Sequence, residues 1–262
     1  NSQKTGFNLE ISMITKTAVA IAILAAGITS SANAAGLKFT GAELGVVSHT
    51  WFYAGESYST THYKAKGKVD ITDTVFSLEG RMVLDRMRTT IDLSITQMHL
   101  TFGAELSPST KVGFSLGNQQ WSPTGYFTQQ YAINAMHRFD NGDFLDATSG
   151  RISGYPANFS KVKYSRGSWF GLVDAHWVPS PFGWFGVASI GYSYDLGSAN
   201  VSASIGRVYS NAGMSSNPNR FSVELTIPFG PKANSSIKKG SQGTEGVGNR
   251  SFIDLNITEI PI

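Results

Sequence analysis

Alternation of apolar and polar residues recurs along most of this chain, and no other feature limits its fold so strongly. Between Thr61 and Ile71, the residues Tyr63, Ala65, Gly67, Val69 and Ile71 are apolar or small, and His62, Lys64, Lys66, Lys68 and Asp70 fall between them. In a β-strand these two sets point to opposite faces; around a helix they would be scattered. The pattern returns in Phe76, Leu78, Gly80, Met82 and Leu84, and again in Leu100, Phe102, Ala104 and Leu106 against His99, Thr101, Gly103 and Glu105. Its clearest instance is Phe221, Val223, Leu225, Ile227 and Phe229 against Arg220, Ser222, Glu224 and Thr226. The chain is all-β.

Composition decides which kind of all-β chain. Charged residues make up only 15%, aromatics 12%, and there are 28 Gly and no Cys among 262 residues. Disordered chains are charged and poor in aromatics, so that class is excluded. No run of about 20 apolar residues supplies a membrane helix. The missing Cys removes disulfide frameworks, thiolate zinc sites and thiol nucleophiles. The formal net charge of +3 is too small to point to nucleic acid.

Two exported folds remain: a soluble sandwich, which wets one face of each sheet, and a membrane barrel, which turns its apolar face to lipid and its polar face to a lumen. Strand segments of about ten residues suit a tilted crossing of the bilayer. Aromatics near strand ends (Trp51, Tyr53, Trp169, Trp177, Trp184, Tyr194 and Phe229) suit interfacial girdles. Strands are expected at about 37–48, 62–71, 75–84, 98–107, 110–119, 158–166, 168–178, 184–194, 200–209 and 219–229. Thr89–Thr96 and Phe252–Thr258 would raise ten strands to twelve. With this segmentation the connections 49–61, 85–97, 120–157 and 210–218 are long and share one end, whereas 72–74, 108–109, 167 and 195–199 are short and share the other. That parity is expected of a barrel with tight periplasmic turns and long outer loops.

The ends of the chain have their own character. Lys16 followed by the short apolar run Ala18–Ala26 and by Ala32-Asn33-Ala34 reads as a secretory signal with cleavage after Ala34. Residues 1–12 precede Met13 and read as upstream sequence. The expected organisation is a leader over 1–34, a barrel over 35–229, and a polar tail or extra strand over 230–262.

The run Phe102-Gly103-Ala104-Glu105-Leu106, a tight turn, and then Lys111-Val112-Gly113-Phe114-Ser115-Leu116-Gly117-Asn118-Gln119 resembles the general porins of Gram-negative outer membranes. Asn158–Ser165 and Trp169–Leu172 are similar to the porin strand pair that follows the inward-folded third loop. The resemblance implies an antiparallel up-and-down barrel and a connection 120–157 folded into the lumen. It also implies passive diffusion of small hydrophilic solutes, a homotrimer, contact with outer-membrane lipid and lipopolysaccharide, and no cofactor. Residues 35–229 are too few for the sixteen strands usual in that family.

Porin selectivity comes from charges lining a constriction. The alternation assigns Lys64, Lys66, Lys68, Arg81, Lys161 and Lys163 to a basic lumen wall, joined by Glu79, Asp174 and His176. Asp140, Asp143 and Asp146 form the acidic counterpart if 120–157 folds inward. The basic wall predicts a weak preference for anions. Two alternatives stay open: an enzyme acting on lipid or lipopolysaccharide at the rim, and a structural or adhesive barrel with a plugged lumen. For the enzyme, Asp174 and His176 share a face, and Tyr209-Ser210-Asn211-Ala212-Gly213 looks like the serine segment of outer-membrane lipid A deacylases. Those enzymes carry His two residues before the Ser, where this chain has Val208. A hydroxyl without its base is a weak nucleophile.

Overall fold

The computed structural model describes residues 36–53, 56–88, 92–122, 124–153, 157–178, 183–211 and 218–229, together with Val247, Arg250, Phe252 and Ile253. The expected leader, its cleavage site and most of 230–262 lie outside the described residues.

Twelve strands close into one antiparallel barrel: β1 (Leu37–Tyr53), β2 (Glu56–Ile71), β3 (Phe76–Arg88), β4 (Asp92–Ser107), β5 (Thr110–Ser122), β6 (Phe127–Arg138), β7 (Phe144–Ser153), β8 (Ala157–Arg166), β9 (Trp169–Val178), β10 (Gly183–Asp195), β11 (Asn200–Ser210) and β12 (Asn219–Phe229). Each strand pairs with its sequence neighbours, and β1 pairs with β12 to close the ring. Closure leaves no sheet edge, which is what makes a sheet tolerable in hydrocarbon, where an unpaired backbone group finds no water.

The side chains sort by face as a lipid solvent requires. Ile133, Val173, Ile190, Ile205, Phe221 and Leu225 are exposed on the outside, whereas Asp85, Gln97, His62, Lys111, Asn134, Asp174 and Arg220 are buried inside. This inverts a soluble protein and identifies the fold as a transmembrane β-barrel. On β12 the expected register is the observed one: Val223, Leu225 and Ile227 are exposed, and Thr226 faces the lumen.

The structure corrects the sequence reading in four places. Residues 120–157 are not an inward-folded loop. They hold β6 and β7, joined by the turn 139–143 and paired from Gln129↔Ser153 to Arg138↔Phe144. Thr89–Thr96 is no separate strand, because β4 already runs from Asp92. The long connections 49–61 and 85–97 shorten to 54–55 and 89–91 as β1 to β4 continue for 13 to 17 residues. All four exceed the 9–11 residues that roughly span a bilayer at a tilt. Trp51 does not join an outer girdle; it turns inward, 2% exposed.

Turns at the two ends are therefore similar in length, and only 211–218 is long. The two-residue turn between β8 and β9 uses Gly167 at φ +55°, a left-handed conformation that such a hairpin turn demands and that glycine adopts without a Cβ clash. Below, the end carrying the start of β1 and the finish of β12 is called the terminal end, and the opposite one the far end.

Candidate functional site

A cavity of about 170 Å³ in the lumen is walled by β1, β2 and β6 to β12. On the remaining side, residues of β3 to β5 are absent from its lining, and Arg250, Phe252 and Ile253 take their place.

Charge in this cavity comes from both sides. Lys64 and Lys66 project from β2, and Lys161 and Lys163 from β8, which stands diametrically across the twelve-strand ring. Arg220 and Arg250 raise the cationic groups to six, against three carboxylates, Glu43, Asp146 and Glu224. The carboxylates lie close to the lysines: Lys66 Nζ is 3.6 Å from Glu43, and Lys64 Nζ is 3.5 Å from Glu224. Lys161 forms a buried ion pair with Asp174 at 3.1 Å. A further wall is lined by hydroxyls from Ser193, Ser202, Ser204, Ser222 and Thr226. Cationic groups flanking a hydroxyl-rich surface, within low-dielectric walls, focus a positive field on whatever enters.

The other residues singled out from sequence are placed as follows. Lys68 is buried, pairs with Asp70 at 3.3 Å and lies outside the cavity lining, so the three-lysine wall of β2 divides. Glu79 and Arg81 face the lumen beside Phe252. Asp174 and His176 are buried and joined by a 2.9 Å hydrogen bond. The His176 ring stacks on Phe185 at 5.1 Å and lies near-parallel to Phe159 at 6.1 Å.

The acidic constriction loop does not exist, because its three carboxylates are parted by the β6–β7 hairpin. Asp140 is exposed in the turn. Asp143 is buried, accepting hydrogen bonds from the Asn141 amide at 2.8 Å and the Tyr164 hydroxyl. Asp146 alone reaches the cavity, from β7. Sequence reasoning passed over Glu43, Arg220 and Arg250. Arg220 sat on the polar face of its strand, but nothing in the sequence ties Arg250 to a lumen formed by distant strands.

From the cavity toward the far end, the inward side chains pack on one another. Asp85 accepts from the Gln97 amide at 2.7 Å and bonds His62. His49 meets the His62 ring edge-on at 4.6 Å and bonds Ser222 at 2.6 Å. Trp51, Val187 and Val208 form an apolar cluster, with the Arg220 guanidinium over the indole at 5.4 Å. Ala132, Ile152, Ala157 and Phe159 form another.

The enzymatic motif gains nothing from these surroundings. Ser210 donates to the Trp184 carbonyl at 3.2 Å, Asn211 accepts from the Trp184 backbone at 2.6 Å, and Val208, in the position of the base, is fully buried in the Trp51 cluster. Among the described residues no group of three or more His, Asp or Glu converges as metal ligands.

No family model matches the chain, and no curated protein sequence matches it well enough to count as a relative. Solved structures do resemble it. A KdgM porin in complex with disordered oligogalacturonate superposes with a TM-score of 0.53 at 7% identity, covering 72% of this chain and 99% of that one. A second KdgM porin structure gives 0.51 at 7% identity, over 71% and 99%. An outer-membrane phospholipase A from Escherichia coli reaches only 0.48 at 10% identity, over 71% and 92%, too low to carry an argument. At such identities the likeness is one of fold: the chain shares the barrel architecture of outer-membrane porins.

Proposed function

We propose that this protein is a bacterial outer-membrane channel for passive diffusion of ions and small hydrophilic solutes, with a weak preference for anions. The observation that carries the reading is the cavity inside the closed barrel, lined by six cationic groups against three carboxylates and by serine hydroxyls. Such a lining offers hydrogen bonds to a hydrated solute and a net positive potential to an anion. The similarity in fold to KdgM porins, one of them solved with an acidic oligosaccharide, accords with this reading.

The reading is tested with purified protein in planar bilayers. Discrete, small conductance steps are expected, and persistent silence from correctly folded barrels would overturn it. A lipid deacylation assay on the same preparation addresses the enzymatic alternative.

A further inference from the structure

The lumen contains a second, built site, on the inner face of β3 to β5. Gly103 and Gly113 stand directly opposite each other on β4 and β5, both facing inward. The space they leave is filled by the Phe252 ring: a Cβ added at Gly113 would lie 2.8 Å from it, and one at Gly103 3.2 Å. In a strand interior, glycine costs stability unless something must approach the backbone closely. Here an aromatic ring does.

Around that ring, buried charged groups hold the backbone of its segment. Glu79 accepts from the Phe252 N–H at 3.2 Å, and Arg81 donates to the Phe252 carbonyl at 3.1 Å. Lys111, paired with Glu79 at 2.5 Å, donates to the Arg250 carbonyl at 3.0 Å, and its ammonium lies 4.4 Å from the centroid of the Phe252 ring. Val247, fully buried, donates its N–H to the Pro108 carbonyl at 3.0 Å and packs with Met136 and Phe252. Glu79, Arg81 and Lys111 thus each hold a backbone atom of Arg250 or Phe252, while the Phe252 ring fills the recess left by the two glycines. Hydrogen bonds to a segment's main chain, with a pocket for one of its side chains, are how a peptide receptor gains affinity and selectivity.

We propose that β3 to β5 form a lumenal binding site for a peptide segment with an aromatic anchor. In this chain the residues around Phe252 fill it and narrow the pathway at the terminal end. The seating stands on its own geometry; the narrowing of conduction rests on the channel reading above.

The chain has no Cys, so a single introduced thiol reports on the seat. In the full chain, Val247→Cys should react with a bulky maleimide at least tenfold more slowly than Ser198→Cys in the exposed β10–β11 turn. Adding Phe252→Asp, which puts a carboxylate beside Glu79, should bring the two rates together. Gly113→Leu, which fills the seat from the barrel side, should do the same. Equal rates in the starting pair would overturn the seating. In bilayers, both displacing variants should give larger unit conductance than the parent; unchanged conductance would overturn the narrowing. Silence from parent and variants alike would sink the channel reading and the narrowing with it, while the labelling rates still decide the seat.

Discussion

The two ends of the lumen are narrowed by different means. At the far end the strands narrow it themselves: Trp51, Val187 and Val208 pack together, and Asp85 gathers His62 and Gln97. At the terminal end, Glu79, Arg81 and Lys111 bind a segment distant in sequence, centred on Phe252. Side chains of the wall leave only when the barrel unfolds, whereas a seated segment leaves when its contacts are outcompeted. The far end is thus part of the fold's stability, and the terminal end is an equilibrium superimposed on it.

The largest expected effect that separates them is Trp51→Ala. A packed Trp at a far-end cluster should cost the barrel about 3–5 kcal/mol on truncation, read from urea unfolding in lipid vesicles. A loss below about 1 kcal/mol would place Trp51 outside any packed core. Next comes Asp85→Ala, which strips an acceptor from two buried partners and should cost about 1–3 kcal/mol. Phe252→Ala, at the other end, should shift the barrel's unfolding by less than about 1 kcal/mol, although a Phe in an ordinary core loses 3–5. If it costs as much as Trp51→Ala, the contrast between the ends fails. The smallest effect belongs to Lys163→Gln: stability unchanged, and anion preference reduced without reversal, read from the zero-current potential.

Legibility in the sequence followed the same physics. β12 was readable because Phe221, Val223, Leu225 and Ile227 meet lipid while Ser222, Glu224 and Thr226 meet the lumen. β7 was not, because its outward residues include Ser149 and Arg151 and its inward ones Phe144 and Ile152, so polarity no longer marks the face. β6 is blurred in the same way by inward Ala132 and Met136. The far ends of β1 and β2 read as loop because Ser57, Ser59, Thr60 and Thr61 are polar on both faces. The inward orientation of the lysines followed from alternation alone. Which of them share a cavity depends on ring closure, and the seat of Phe252 depends on contacts spanning more than 130 residues. Periodicity carries neither.

The most direct test of the central claim is the zero-current potential across a bilayer holding many copies of the protein in a salt gradient near 0.1 M. There the Debye length is about 10 Å and the lumenal charges act together. The account predicts a potential of the sign that marks anion preference, fading toward 1 M, where screening shortens to about 3 Å. A potential of the opposite sign, or one indifferent to salt, would contradict it.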